Sequence, residues 1–226
     1  MLKQILFSGK VEVGISEIDD GNMRFFGNGE ESEIIKNQRK LGESIGLNNV
    51  ARIRTIYGER QNFTEYAELT KENLAEYSIN NFEKEIPVSD GLVTRETEVG
   101  ILLPLADCLG IVVFDEVHKI IGLLHSGRQN IEQYGPKKFV EYFVRNFDSN
   151  PDELKIYFSP HVLYYQIFKF NNKLLPEIAK EQLVDAGVLS ENIVDYKINT
   201  VNNANLPSHS SGDTTQRFAI AVKQNW

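Results

Sequence analysis

Two residues with reactive side chains, Cys108 and His125, flank a pair of apolar runs. Cys108 is the only cysteine of the chain, and it precedes the apolar residues 109–114. His125 follows a second apolar run, residues 120–124, and the polar residues 115–119 connect the two runs. Two β-branched runs around a short polar connection predict a β-hairpin. Because Cys108 and His125 are nearly equidistant from the turn, antiparallel pairing would bring their side chains within reach of each other.

A thiol and an imidazole in this position can be a nucleophile and its base, or two ligands of a soft metal. The alternative is a small buried hydrophobe beside a hydrogen-bonded histidine without chemistry. The flanks favour chemistry, because Asp107 precedes the cysteine and Ser126-Gly127-Arg128 follows the histidine. Polar groups and a glycine at one hairpin end are more typical of a pocket than of a core. We therefore expect Cys108, His125 and Asp107 to form the catalytic set.

The segment Ala106-Asp107-Cys108-Leu109, followed by His125-Ser126-Gly127, resembles the signature of the YfiH-like or laccase-domain family, also called the polyphenol oxidase or purine nucleoside phosphorylase family. Weaker matches occur in the same order along nearly the whole chain. They lie at residues 13–16, 26–29, 37–39, 89–94, 159–162, 208–209 and 215–218.

The resemblance implies phosphorolysis of purine nucleosides, with deamination of adenosine as a second reaction, at a zinc site. Cys108 and His125 would be two of the zinc ligands. The substrate-binding residues implied in this way are Asn28, Tyr57, Arg128 and Arg217. The two arginines are the candidates for phosphate, because a guanidinium binds phosphate through two hydrogen bonds.

The sequence also departs from the family pattern. Tyr57 stands where the resemblance predicts the third metal-binding histidine, the arginine after the His-x-Gly unit is shifted by one position to Arg128, and residues 208–211 lack two expected arginines. A catalytic zinc normally has three protein ligands and a water. We therefore expect weak zinc binding or none, and we expect Tyr57 to line the pocket without binding metal.

Histidines elsewhere could replace the missing ligand. The chain has four: His118, His125, His161 and His209. His118 is expected at the exposed hairpin turn, whereas His161 and His209 are the two candidate replacements. A blue-copper centre would use two histidines and the cysteine, and two histidines are too few for a further copper cluster. Copper is therefore not expected.

Composition limits the classes of partner. The net charge of −8 and the pI of about 5.1 argue against binding to nucleic acid and to anionic membranes. The chain has 226 residues with 41% hydrophobic content, so we predict a single domain over residues 1–226. One cysteine, a short polar N-terminus and the lack of a 20-residue apolar run predict a cytoplasmic protein.

The periodicity of the apolar residues predicts an α/β or α+β fold, with a mixed β-sheet and flanking helices. Helices are expected over residues 33–45, 174–186 and the later part of 131–147, with Gly46 and Gly187 as stops. Residues 69–82 are expected to form a helix or, alternatively, a loop. Strands are expected within residues 2–17 and at 51–57, 92–94, 99–105, 154–158, 193–200 and 217–223, beside the hairpin.

Two further functions remain open from sequence alone. The site could be a metal-free hydrolase that uses a Cys108 thiolate and a His125 imidazolium. The chain could also be a non-catalytic member that binds a ligand, since several family residues are replaced. The sequence does not specify the oligomeric state.

Overall fold

Two mixed β-sheets that pack against each other form the centre of the fold. The computed structural model describes residues 1–24, 30–57, 60–213 and 215–226. The predicted α+β class is confirmed, with the strands divided between two large sheets. In chain order the strands are β1 (Leu2–Leu6), β2 (Val11–Ile15), β3 (Asn49–Arg52), β4 (Tyr66–Leu69), β5 (Gly91–Thr94), β6 (Val99–Leu105), β7 (Leu109–Asp115), β8 (Ile120–Ser126), β9 (Lys155–Phe158), β10 (Gln166–Ile167), β11 (Lys173–Leu174), β12 (Ile193–Asp195) and β13 (Phe218–Gln224).

The first sheet has the order β1-β2-β13-β6-β3, and only the β3–β6 pair is parallel. The second sheet has the order β12-β9-β7-β8-β5-β4, with parallel pairs at its two edges. Strands β10 and β11 form a separate two-stranded ribbon. The α-helices are α1 (Glu31–Ser44), α2 (Leu74–Tyr77), α3 (Arg128–Glu132), α4 (Gly135–Phe147) and α5 (Leu175–Asp185). Short 3-10 turns lie at Phe7–Gly9, Ile18–Asp20, Glu83–Glu85, Phe168–Phe170 and Ser190–Asn192.

Side chains along the central strands point alternately to the two faces of the second sheet, and both faces are buried. Val112 and Phe114 of β7 face the first sheet and pack in one core with Ile220 of β13. Ile111 and Val113 point to the other face and pack in a second core with residues of α4 and α5. Because successive side chains of a strand point to opposite faces, a continuous apolar run predicts a strand that is buried on both faces.

The two long helices predicted from periodicity are confirmed. Helix α1 ends before Gly46, which has a φ of 72°, and α5 ends before Gly187, which has a φ of 100°. Glycine occupies this left-handed position without the penalty that a Cβ atom would bring. Within the described residues, no helix combines the length and the apolar character needed to cross a membrane.

Two predicted strands are shorter than expected. The strand expected at 51–57 ends at Arg52, and residues 193–200 form a strand only as far as Asp195 because Lys197 turns with a φ of 54°. The region 69–82 contains a single helical turn, α2. Asn81 explains why this helix ends early, because its side-chain amide donates to the carbonyl oxygens of Ala75 and Glu76. Local side-chain bonds of this kind compete with helix propagation.

Gly122 in β8 allows α4 to pack closely on the second sheet. A Cβ atom at this position would lie 2.9 Å from Phe139 Cζ and 2.9 Å from Phe143 Cζ. We expect Gly122→Ala to lower the free energy of unfolding by about 1–3 kcal/mol through overpacking, as measured by urea denaturation. Val117→Ala, at the exposed tip of the same hairpin, is the control and should change stability by less than about 0.5 kcal/mol. Equal stability of Gly122→Ala and the wild type would contradict the packing.

Candidate functional site

A cavity of about 550 Å³ opens at the end of the β7–β8 hairpin. Its walls come from the ends of β6 and β8, the start of α3, and residues between the regular elements, namely Val162, Tyr165, His209, Ser210 and Arg217. Most of the predicted site residues line it. The charged and polar side chains of the lining include Arg24, Tyr57, Asp107, Cys108, His125, Arg128, His209 and Arg217. Asn28, the remaining predicted substrate-binding residue, lies outside the described residues.

The predicted hairpin is confirmed as β7 and β8, and Cys108 and His125 lie on the same face of it. In its register His125 lies opposite Gly110, so Cys108, two residues before Gly110, is a diagonal neighbour on the same face. A Cβ atom built on Gly127 would lie 3.0 Å from Cys108 Sγ and 3.5 Å from His125 Nε2. The two side chains therefore border one small volume, which the missing side chain of Gly127 leaves open.

Both side chains are neutral near pH 7. Desolvation raises the pKa of the Cys108 thiol to about 11, and the charge of Asp107 adds to this effect. Desolvation lowers the pKa of His125 to about 3, and the positive charges of Arg24 and Arg60 lower it further. A thiolate–imidazolium pair is therefore disfavoured, which argues against the metal-free hydrolase.

Tyr57 lines the cavity beside His125. Its Oη atom lies 3.2 Å from His125 Nε2, and the two rings meet edge to face at 6.2 Å. Desolvation, together with the neighbouring Cys108, raises the pKa of the phenol above its ordinary value. The Tyr57 side chain therefore stays protonated and can donate a hydrogen bond into the cavity.

A buried ion pair anchors His125. The His125 backbone N–H donates to the carbonyl oxygen of Asp90 at 2.7 Å. The Asp90 carboxylate is fully buried and accepts hydrogen bonds from both terminal nitrogens of Arg60, at 3.0 and 2.6 Å. Sequence analysis did not single out Arg60, because an arginine 30 residues from its partner has no recognisable spacing.

Asp107 connects three wall segments of the cavity. Its backbone has a φ of 71°, and its two carboxylate oxygens accept hydrogen bonds from Thr200 Oγ1 at 2.6 Å and from Ser210 N at 2.7 Å. Its carbonyl oxygen accepts a further bond from Val162 N. Although desolvation alone would raise the pKa of Asp107, the hydrogen bonds from Thr200, Ser208 and Ser210 lower it. Within the catalytic set that the sequence predicts, the geometry supports a positioning role for Asp107.

The other histidines do not gather around Cys108. His161 is fully buried outside the lining, and its Nδ1 atom lies 2.7 Å from the carbonyl oxygen of Ser159. His209 lies on an exposed part of the cavity wall. His118 is at the hairpin turn, as predicted, where its Nδ1 atom lies 2.8 Å from Asp115 Oδ2.

The donor set at Cys108 does not fit a three-ligand zinc site. Cys108 and His125 are two soft donors, and the third position holds the protonated Tyr57 phenol, which is bonded to His125. Across the described part of the chain, no three His, Cys, Asp or Glu side chains lie close enough together to hold a metal ion. The same donors do not fit a multi-copper cluster, which needs several histidines together.

Three guanidiniums give the cavity a positive lining. Arg24, Arg128 and Arg217 contribute to the wall, although the chain carries a net charge of −8. Arg24 Nη2 donates to the carbonyl oxygen of Thr55 at 2.9 Å. Sequence analysis missed Arg24, since it lies in no motif, and only the fold brings residues 22–24 next to Arg217. The lining suits an anionic ligand.

Comparison with known proteins matches the chain to one family. The family model described as multi-copper polyphenol oxidoreductase laccase matches residues 6–174. A purine nucleoside phosphorylase of Borreliella burgdorferi is 31% identical over 121 residues, which are 53% of this chain. A purine nucleoside phosphorylase of Campylobacter jejuni is 25% identical over 149 residues, which are 59% of this chain.

The matched segments span 52% and 66% of these two relatives, less than two thirds of either protein. Among solved structures, YlmD from Geobacillus stearothermophilus superposes with a TM-score of 0.82 at 17% sequence identity, covering 96% of this chain and 93% of that one. At this identity the likeness concerns the fold alone, and it confirms the laccase-domain fold that the motifs predicted.

Alkylation of the single cysteine tests the protonation state of the site. We expect the rate of reaction of Cys108 with iodoacetamide to keep rising with pH toward its pKa of about 11, because only the thiolate reacts. Mass spectrometry gives an unambiguous readout, since the chain has no second cysteine. A rate that levels off below pH 8 would instead indicate a thiolate paired with a charged His125.

Substitution of Tyr57 tests whether the site can be made to bind metal. We expect Tyr57→His to raise zinc affinity by at least about tenfold, because an imidazole beside Cys108 and His125 would complete a three-ligand set. Zinc titration against a competing chelator measures this, with Tyr57→Phe as the matched control that should leave the affinity unchanged. Tight stoichiometric zinc in the wild-type protein would contradict the assignment of Tyr57 as a non-ligand.

Proposed function

The chain belongs to the family described as multi-copper polyphenol oxidoreductase laccase, and we propose that it acts as a purine nucleoside phosphorylase. The relatives from Borreliella and Campylobacter carry this name. The observation that carries the proposal is one cavity in which neutral hydrogen-bonding side chains lie beside three guanidiniums. A nucleoside is neutral and its co-substrate phosphate is a dianion, so the lining matches both.

In the proposed reaction, an oxygen of inorganic phosphate attacks C1′ of the ribose while the bond from C1′ to the purine nitrogen breaks. The electron pair of that bond moves onto the purine, which takes up one proton and leaves as the free base. The other product is ribose 1-phosphate. The arginines of the cavity, Arg217 and Arg128 among them, would hold the phosphate and stabilise its charge.

Tyr57 is suited to deliver the proton to the purine. In the tautomer that carries a proton on Nε2, His125 donates to Tyr57 Oη across 3.2 Å. The phenol O–H is then directed to another acceptor, such as a purine nitrogen. Tyr57 would donate to the leaving base and regain its proton from solvent through the exposed side of the residue, which is 45% exposed.

Phosphorolysis is favoured over adenosine deamination at this site. Deamination requires an activated water, and in zinc deaminases the metal supplies it. The donor set at Cys108 does not fit zinc, and the thiol and the imidazole are neutral. A binding protein without activity would keep the same cavity, so turnover and ligand binding must both be measured. The cytoplasmic location expected from the sequence stays a prediction.

Substitution of the phenol tests the proposal. We expect Tyr57→Phe to lower kcat for phosphate-dependent release of hypoxanthine from inosine by about 10- to 1000-fold, because it removes a donor to the leaving group. Tyr164→Phe is the matched control, since Tyr164 is 74% exposed and outside the lining, and it should keep wild-type rates. Melting temperatures of both variants exclude a folding defect.

Two results would contradict the proposal. Wild-type kcat in Tyr57→Phe would remove the phenol from the reaction. Saturable binding of inosine by the wild-type protein, without any release of base from inosine or adenosine in the presence of phosphate, would identify the chain as a binding protein.

A further inference from the structure

A closed path of contacts connects His125 with Tyr57 through three residues outside the cavity lining. Ser126, the residue after His125, donates from its hydroxyl to Asn130 Oδ1 at 3.0 Å. Asn130 Nδ2 donates in turn to the carbonyl oxygen of Phe63 at 2.6 Å. The ring centroid of Phe63 lies 6.4 Å from that of Tyr57, whose Oη atom lies 3.2 Å from His125 Nε2. The path therefore returns to the histidine at which it begins.

We propose that Asn130 is a positioning residue that keeps the Tyr57 phenol against His125, and that it acts through Phe63. The effect on turnover rests on the proposed function, in which Tyr57 donates to the leaving base. The effect on the contact between Tyr57 and His125 can be measured without turnover.

The Asn130 side chain is fixed in one orientation. It belongs to α3 and is 2% exposed. Its amide oxygen and its amide nitrogen bond to different segments of the chain, so the amide cannot rotate without loss of both bonds. Gly135, the first residue of α4, packs so closely that a Cβ atom at this position would overlap with the amide. A buried amide with both of its partners specifies one arrangement of the segments that it joins.

Phe63 is bound through both of its backbone polar groups. Its carbonyl oxygen accepts the bond from Asn130, and its N–H donates to Gln133 Oε1 at 2.9 Å. Gln133 follows α3 directly, and its Nε2 atom also donates to the carbonyl oxygen of Gln61 at 2.7 Å. Residues 61–63 belong to no helix or strand, so these side-chain bonds satisfy backbone groups that a regular element would otherwise pair. The end of α3 therefore fixes the backbone that carries the Phe63 ring.

The Tyr57 phenol depends on this support because the residue is 45% exposed. Its ring meets the Phe63 ring at an interplanar angle of 31° and the His125 ring at 75°. Phe63 is buried, so its ring is a fixed surface beside the half-exposed phenol. Movement of Phe63 would allow the phenol to turn away from His125 Nε2. Misplacement of a reacting group by about 1 Å can lower a rate by about 100-fold.

The Arg60–Asp90 ion pair attaches the same segment at a second point. The Arg60 guanidinium lies 5.1 Å from the ring centroid of Phe63, and its Nη2 atom binds the Asp90 carboxylate at 2.6 Å. The backbone N–H of Glu65 donates to the same carboxylate at 3.0 Å. Loss of the Asn130 amide should therefore shift Phe63 without releasing the whole segment.

A double-mutant cycle on turnover tests whether Asn130 acts through Tyr57. We expect Asn130→Ala to lower kcat for phosphate-dependent release of hypoxanthine from inosine by about 10- to 100-fold. In the Tyr57→Phe background the same substitution should change kcat by less than about twofold, because the hydroxyl that Asn130 positions is already absent. The matched control is Asn146→Ala on α4, an exposed amide that bonds within its own helix, and it should keep the wild-type kcat.

The side-chain nitrogen signals of His125 give a readout that needs no turnover. In protein labelled with 15N-histidine, the His125 Nε2 signal is identified by its loss in His125→Gln. Tyr57→Phe should shift this signal because it removes the hydroxyl next to Nε2, and Asn130→Ala should shift it in the same direction. Asn146→Ala should leave it unchanged. If Asn130→Ala is poorly folded, Gln133→Ala removes the other bond to Phe63 from a half-buried position and should shift the signal in the same direction.

The positioning role is refuted if well-folded Asn130→Ala or Gln133→Ala leaves the His125 Nε2 signal unchanged. It is also refuted if Asn130→Ala lowers kcat by the same factor in the wild-type and Tyr57→Phe backgrounds, as a merely structural amide would. The expected shifts in a protein that releases no base from inosine or adenosine would overturn the proposed function and leave the positioning role intact. An active wild type with no shift in Asn130→Ala would do the reverse.

Discussion

The site depends on the register of the β7–β8 hairpin. With His125 opposite Gly110, the side chains of Cys108 and His125 point to the same face, toward the space between the two sheets. A slip of one residue would turn one of them toward the helices α4 and α5. Both faces of this hairpin are buried in apolar cores, and this strongly specifies the register. The packing of the fold thus fixes the geometry of the candidate site.

Desolvation connects this packing to the chemistry. The hairpin end lies at the margin of the core between the sheets, where burial keeps the Cys108 thiol and the His125 imidazole uncharged. The Tyr57 phenol occupies the position where a third metal donor was expected and bonds to His125. The positive charge in the cavity comes instead from arginines. The resulting combination of a neutral hydrogen-bonding end and a positive wall is what the proposed reaction between a neutral nucleoside and phosphate requires.

The sequence predicted those parts of the fold that rest on local patterns. The hairpin, the helices α1 and α5 and their glycine stops follow from apolar periodicity and backbone sterics. Residues 69–82, for which the sequence leaves a helix or a loop open, form only one helical turn, because Leu69 belongs to β4 and the Asn81 side chain binds two carbonyl oxygens of α2. Whether such a hydrogen bond forms depends on where the chain folds back. The periodicity of apolar residues does not carry that information.

The candidate site was predictable only in part, because several of its contacts join residues that are distant in sequence. Cys108 and His125 stand on one hairpin, so their spacing carried the information. Arg24 and Arg60 act through partners that are distant in sequence, and the role of Asp107 depends on contacts with Thr200 and Ser210. These contacts arise from tertiary packing and have no local pattern that sequence reading could detect.

We propose phosphorolysis in this cavity without a metal. The direct measurement is phosphorus NMR of chelator-treated protein incubated with inosine and inorganic phosphate. We predict that the phosphate signal is converted into that of ribose 1-phosphate, at a rate that added zinc does not change. Formation of the sugar phosphate only after zinc is restored would contradict the account.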